Sequence, residues 1–540
     1  MTVASREEKV YPDGRRELTD FAQAALADSP IYNDDLAPVR IEQRTWTTYS
    51  YMALWIGMAV NVPSWTLAAG LIALGMDWVQ AVFTVMLGNV VVLVPMLLIS
   101  HAGTKYGIPY PVFARAAFGV IGANLPALIR AGVACGWFGI QTWIGGGAIF
   151  FLVGAILGPD SFWATASGVG FLWVGAQPWT LWLSFGIFWL LNLYIILRGM
   201  NTLRIFENWS APFLVGIAVL LTVWMVIQAG GLGPILDQPN KFGGWTGDFW
   251  ALFFPSLMAM IAFWSTLSLN MPDFTRFGRS QGDQVAGQVL GLPTTMTLFA
   301  ILAVVTASAT VILYGEAIFD PVLLANRFGN PIVIVLALFA LAVATLTTNV
   351  AANLVSPSYD FSNTFPKAIS FRTGGIITAI IGILIQPWYL ISNPNVYIFT
   401  WLGFYGGATG AIAGVLIADY WVLRRTRLML ADLFRTDGGA YKYAAGWNWR
   451  AVVALAVGVV LAVGGAYSVL DANGAATGPF PVGGLLPFLK VELPWGGFLY
   501  DYSWVVGLLA SFLVYWVLTL IAPMREQAPE EMPMAAGEAA

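Results

Sequence analysis

The side chains of this chain that could do chemistry are mostly uncharged and lie inside apolar runs. Thr347 and Thr348 stand side by side in "ATLTTNVAANLVSP". They follow Ala344 by three and four positions, so the three residues share one helix face. Two hydroxyls, with any backbone carbonyl left free beside them, form a set of neutral oxygens of the kind a hard cation prefers. A lone membrane threonine more often bonds the carbonyl four residues back or a neighbouring helix. The adjacent pair, set opposite an interrupted helix, is what favours an ion site. That interruption lies in "ALWIGMAVNVPSWTLAAG", where Gly57, Asn61 and Pro63 fall mid-run. Proline blocks a helical hydrogen bond and frees carbonyls in the preceding turn. A packed proline kink is an equal reading of that stretch alone.

A second set could hold a flat polar ring. "CGWFGIQTWIGG" places Trp137 and Gln141 four apart on one face, and "AMIAFWSTLSLN" adds Phe263 and Trp264. Asn61 and Asn353 supply two more amides. Stacking a base on an aromatic side chain is worth about 1–3 kcal/mol, and an amide offers both donors and an acceptor to a cyclic N–H and C=O. Most of the 24 tryptophans are packing residues or interfacial anchors. The weight therefore falls on Gln141 and Asn353, because a buried amide has to be satisfied by something.

What is missing narrows the class. One cysteine, Cys135, and one histidine, His101, leave no disulfide, cysteine metal cluster, histidine zinc site or Ser-His or Cys-His catalysis. No nucleophile–base pair or phosphate loop stands out, so an enzyme is not expected, and no organic cofactor is implied. No charged or repeated ring suggests a channel filter. A net charge of −4 without a basic patch argues against a nucleic-acid partner.

The elements that must position these side chains are membrane spans. The 540 residues are 58% hydrophobic and 10% charged, against about 25% charged in a soluble domain. Apolar runs between breaks give twelve spans: 48–75, 78–100, 122–156, 178–197, 209–230, 249–270, 289–314, 331–356, 374–391, 395–422, 449–468 and 503–522. The third exceeds one perpendicular crossing and is expected to tilt or bend. With the amino terminus inside, 21 of the 25 lysines and arginines fall on the cytoplasmic side. Only Lys241, Arg327 and Lys490 fall outside, and Arg130 lies near the cytoplasmic start of span three. Both termini are therefore expected in the cytoplasm of a cell-membrane protein. The same map leaves no carboxylate deep in a span, which argues against the usual buried proton carrier. The partners implied are a small-molecule substrate and the lipid bilayer. The link "QPWYLISNPN" is a candidate hinge or gate. The loop 470–502 carries no assigned role, and the tail "REQAPEEMPMAAGEAA" is expected to be disordered.

Five motifs in order, "NDDLAPVRIEQRTW", "HAGTKYGIPYPVFARAAFG", "CGWFGIQTWIGG", "LNMPDFTRF" and "TTNVAANLVSPSYD", resemble the nucleobase:cation symport-1 family. With "IADYWVLRR", they are most similar to its bacterial allantoin permeases and sodium–hydantoin symporter. The resemblance runs from about residue 33 to 450. It implies an all-α polytopic protein of the leucine-transporter type: a cytoplasmic segment 1–47, inverted repeats at 48–230 and 249–422, two accessory spans at 449–522 and a cytoplasmic tail 523–540. It also implies a sodium site built from the carbonyls of Gly57, Val60 and Ala344 and the hydroxyls of Thr347 and Thr348. Trp137 and Trp264 would sandwich a ring, with Gln141 and Asn353 on its polar edge and Asn61 and Phe263 completing the pocket. Asn61 and Phe263 depart from the hydantoin symporter's glutamine and glycine, which disfavours a hydantoin with a bulky substituent. The function implied is a monomeric secondary active transporter importing a neutral planar N-heterocycle by alternating access. Allantoin with sodium is favoured; uracil, another nucleobase or hydantoin, and proton coupling, are the alternatives.

Overall fold

In the computed structural model the described residues are 3–524, apart from 5, 171–175, 238–240, 317, 319, 329, 389–400, 469, 471–473, 475, 477 and 495. The end of span nine, the start of span ten, most of the "QPWYLISNPN" link, Arg525 and the tail thus lie outside them. Helices stand at all twelve expected positions. Among the described residues eight are long and apolar enough to cross a bilayer, and Thr48–Ala59 with Val62–Ile72 makes a ninth as a pair bent by 62°. Gly247–Phe263, Phe371–Leu384 and Trp449–Val463 are apolar but shorter.

Span one breaks where the sequence places Gly57, Asn61 and Pro63. Thr47 and Ser50 form a capping box at its start, and the first helix ends at Val60, whose backbone (φ −83°, ψ 82°) leaves the helical region. Asn61 is extended and caps the second helix, its Oδ1 accepting from the Ser64 amide at 2.8 Å. Pro63 sits in the first turn of that new helix, where a missing N–H costs little. The break therefore comes from the asparagine cap as much as from the proline.

Span six is also broken, which the reading of 249–270 as one run missed. Its helix stops at Phe263, Trp264 takes φ −99° and ψ 3°, and a second helix runs Ser265–Asn270. No proline or glycine marks the point. Ser265 Oγ instead donates to the Ala262 carbonyl at 2.8 Å, the local competition by which hydroxyl side chains disturb a helix. In span eight, Pro331–Thr348 passes into a π-helical turn, Asn349–Leu354, before Val355–Thr364. Such turns are rare and concentrate at functional sites.

Span three is a single 34-residue helix, Asn124–Leu157, packed along span eight and the helix of span four, Trp179–Arg198. The first half of span one packs on span seven, Gln281–Tyr314, and on span five. Spans ten to twelve form their own sub-bundle. A Cβ at Gly410 would lie 2.3 Å from the Trp504 carbonyl, and one at Gly414 2.2 Å from that of Leu508, so glycine permits this close backbone approach. The segment before span one is folded: Val3–Ala4, Glu8–Val10 and Arg16–Leu18 form an antiparallel sheet. Arg44 anchors it through the carbonyls of Val39, Thr104 and Arg16 at 2.8–3.0 Å, although burial pushes its guanidinium down to about 9.

One expectation fails outright. Span five starts at Met200 rather than 209, which brings Glu207 inside it, 1% exposed. Span eight extends to Thr364 and carries Asp360, fully buried with its carboxylate 3.9 Å from Arg130. Carboxylates do lie inside the spans. The expectation failed because Arg204, Glu207 and Asn208 lower the local hydropathy although one face of that helix is buried.

Candidate functional site

The breaks in spans one and six and the π-turn of span eight converge. Because the first helix ends at Val60, the Asn61 amide bonds the Ala59 carbonyl, and the Gly57 carbonyl is left without its helical donor. Two hydroxyls from span eight fill the gap. Thr347 Oγ1 lies 3.0 Å from Gly57 O and 2.8 Å from Ala344 O. Thr348 Oγ1 lies 3.0 Å from each of those carbonyls and 3.2 Å from Met58 O. Five neutral oxygens thus cluster at hydrogen-bonding distance. Ligands held about 2.4 Å from a hard cation are spaced by about 3.4 Å, so a few tenths of an ångström of expansion would turn this cluster into a cation cage. Four of the five expected ligand residues, Gly57, Ala344, Thr347 and Thr348, contribute. Val60 lies at the helix end beside them, with no hydrogen bond linking its carbonyl to the hydroxyls, while Met58 joins the group unforeseen.

Next to it is a cavity lined by all six expected ring-binding residues, Asn61, Trp137, Gln141, Phe263, Trp264 and Asn353, together with Thr266, Leu267, Ala352 and Thr348. Thr348 belongs to both places. Trp137 donates through Nε1 to Tyr405 Oη at 3.1 Å, which fixes its indole. Phe263 meets Trp137 and Trp264 edge-on, at 5.5 and 4.8 Å between centroids, and so stands against both indoles. Trp264 is backed in turn by Trp55 at 5.4 Å. In this conformation Phe263 takes up space beside the indoles expected to sandwich a ring.

The polar atoms differ in how far they are committed. Asn61 is engaged at both ends, Oδ1 by Ser64 and Nδ2 by the Met58 carbonyl. Asn353 donates to Asn349 Oδ1 at 3.0 Å, and Asn349 donates to Thr142 Oγ1 at 3.0 Å, tying the π-turn to span three. By contrast Gln141 Oε1 and Trp264 Nε1 are buried with no hydrogen-bond partner among the described residues. An acceptor and a donor left open in one cavity are what a ring bearing both N–H and C=O would satisfy. Asn349 and Tyr405, which orient Asn353 and Trp137, were not singled out from the sequence. Their polar groups four residues from Asn353, and in the apolar run of span ten, were the available signals.

Beneath the cavity a buried polar cluster joins spans three, six and eight. Arg130 donates to the Ala352 carbonyl at 3.1 Å and faces Asp360. Ser356 bonds both Asn270 and Asp273, and Asp273 also accepts from the Tyr110 amide at 2.7 Å.

Comparison with known proteins places this architecture. Residues 38–484 match the family model for permeases for cytosine/purines, uracil, thiamine and allantoin. The chain is 39% identical over 492 residues to the purine-uracil permease NCS1 of Arabidopsis thaliana, covering 91% of this chain and 78% of that one. It is also 39% identical over 496 residues to the allantoin permease of Bacillus subtilis (strain 168), covering 91% and 94%. Among solved structures, Mhp1, a nucleobase-cation-symport-1 family transporter in a closed conformation with bromovinylhydantoin bound, superposes with a TM-score of 0.71 at 24% identity. That superposition covers 92% of this chain and 98% of Mhp1. The likeness gives the fold, the all-α leucine-transporter type expected from the motifs.

Proposed function

Because the chain belongs to the cytosine/purine, uracil, thiamine and allantoin permease family, a family of multi-pass membrane transporters and not enzymes, we propose that it imports allantoin by sodium symport. The observation that carries this reading is the double position of Thr348, whose hydroxyl lies in the oxygen cluster while the residue also lines the ring cavity. A cation drawn in by the oxygens of Gly57, Met58, Ala344, Thr347 and Thr348 would fix spans one and eight against each other. That would set the Asn61 cap and the π-turn bearing Asn353, and so pre-form the ring cavity. The coupling is reciprocal: a ring in the cavity tightens the cation site by the same factor.

In this reading Trp137 and Trp264 stack on the ring, with Phe263 turning aside to admit it. Gln141 Oε1 accepts from a ring N–H, Trp264 Nε1 donates to a carbonyl, and Asn353 meets the polar edge. Asn61 acts mainly by shaping the break, since both ends of its amide are engaged. Among the described residues no charged group lines the cavity, which favours a neutral substrate. Allantoin is preferred because its ring offers alternating N–H and C=O groups, and the Bacillus subtilis relative is an allantoin permease. Alternating access then moves the loaded site across the bilayer of the cell membrane, with both termini in the cytoplasm and one chain sufficient.

The test is uptake of labelled allantoin by cells expressing the chain, in sodium and in choline buffer, with unlabelled hydantoin, uracil and purines as competitors. Saturable uptake lost in choline is the expected result. Sodium-independent uptake sinks the cation assignment and spares the ring cavity. Transport of a different ring with no allantoin uptake overturns the substrate and spares the cation.

A further inference from the structure

The break in span six leaves a hydroxyl open in the ring cavity. Thr266 lines that cavity and is 5% exposed, and its hydroxyl has no hydrogen-bond partner among the described residues. Buried threonines in membrane helices ordinarily bond the carbonyl four residues back. Thr84, Thr142, Thr345 and Thr378 do so here, at 2.6–2.9 Å. For Thr266 that carbonyl belongs to Ala262, and it already accepts from Ser265 Oγ at 2.8 Å. The turn at Trp264 (φ −99°, ψ 3°) also takes Thr266 out of register with the first helix of the span. The other hydroxyls of this turn are spent within the protein: Ser268 donates to the Ser265 carbonyl, and Thr409 to Ser265 Oγ.

The cavity thus holds more open polar groups than a bare ring uses. Gln141 has neither end of its amide bonded, and Trp264 Nε1 is open as well. A ring stacked on Trp137 and Trp264 spends its N–H and C=O groups on Gln141 and Asn353, from spans three and eight, and on Trp264 Nε1. Thr266 stands elsewhere, in the second helix of span six, Ser265–Asn270, beside Leu267. Its hydroxyl is left for whatever the ring carries beyond that edge. A hydroxyl both donates and accepts, so it can pair with the C=O or the N–H of a side arm. An apolar arm would shut it off from water and leave it unpaired.

We propose that Thr266 is a specificity-determining residue for the ring's substituent. Its hydroxyl bonds a polar side arm, the ureido group when the ring is that of allantoin, and so selects rings with such an arm over bare rings. The inference rests on the reading of this cavity as the ring site. Hydantoin meets the same indoles and amides as allantoin but leaves the Thr266 hydroxyl without a partner. A site built to hydrogen-bond a ligand group discriminates against the analogue that lacks it. Gln141, Trp264 and Asn353 then recognise the ring itself, and Thr266 decides which ring is taken.

The experiment is binding of allantoin and of hydantoin to the full-length purified chain in sodium chloride, followed by tryptophan fluorescence. The two ligands share a ring and differ by the ureido arm. Thr266→Val removes the hydroxyl at nearly constant shape. It should raise the allantoin Kd by about tenfold and leave the hydantoin Kd within about twofold of wild type. Thr266→Ser, which keeps a hydroxyl, should retain the preference for allantoin. The wild-type chain decides the matter even if the valine variant folds poorly: a hydantoin carrying an alkyl arm as long as the ureido group should bind less tightly than allantoin. An alkyl arm that binds as tightly as the ureido arm overturns the role of Thr266 and leaves the ring cavity standing. Equal losses for both ligands in Thr266→Val, or no loss for either, do the same. No binding of either ligand to the wild-type chain overturns the ring reading with it.

Discussion

Removing the Thr348 hydroxyl is the sharpest perturbation of the proposed cation site. In Thr348→Ala the Gly57 and Ala344 carbonyls each lose a donor at 3.0 Å, and that of Met58 loses one at 3.2 Å. The first two keep Thr347, at 3.0 and 2.8 Å, and Met58 keeps the Asn61 amide, so no carbonyl is orphaned. Fold stability should therefore fall by only about 1 kcal/mol. A cation, however, loses one of its oxygens, and an interaction with a charged group is worth about 1.5–3 kcal/mol. At 1.4 kcal/mol per decade, the sodium concentration for half-maximal uptake should rise by roughly 10- to 150-fold. The assay is the sodium dependence of ring uptake in proteoliposomes, with Thr348→Ser expected to stay near wild type. Thr345→Ala is the control, because the Thr345 hydroxyl only bonds the Leu341 carbonyl of its own helix. An unchanged sodium dependence in Thr348→Ala, with the protein intact and the ring still transported, would refute the reasoning.

Three further outcomes follow from the geometry. Gln141→Leu removes a buried acceptor that has no protein partner, so thermal stability should hold or improve while the KM for the ring rises by about fivefold, the loss of roughly 1 kcal/mol. Asn61→Ala deletes the cap of the second half of span one and should cost about 1 kcal/mol of stability, seen as a lower Tm together with weaker sodium dependence. Arg130→Met leaves Asp360 buried without its cation and should destabilise by about 3–5 kcal/mol. That would appear as a large drop in Tm or loss of folded protein, partly restored in Arg130→Lys.

The sequence by itself determined where most of the spans run, an interruption of span one near Pro63 and the face shared by the paired threonines, because each depends on local chemistry. Long apolar runs must be helices in lipid, since no water satisfies an open backbone. Asn61 and Pro63 mark an interruption of span one that a packed kink would equally explain, and the structure shows Asn61 capping a second helix there. Spacings of three and four put Ala344, Thr347 and Thr348 on one face before any partner is known. The tertiary structure decided what those faces meet. The break in span six has no proline or glycine to announce it, and it exists where Trp264 is wedged between Phe263 and Trp55. Asn61 looked like a substrate amide because nothing in its neighbourhood foretold that Met58 and Ser64 would occupy both ends. Glu207 was hidden for the opposite reason. Leu203, Glu207, Ser210, Ala211 and Leu214 do follow helical spacing on one buried face, a signal that was available, but hydropathy averages over all faces of a helix and the half-buried positions beside that face carry Arg204 and Asn208. Which face is dry depends on the neighbour, and here the neighbour is Gly57, a glycine with no side chain of its own.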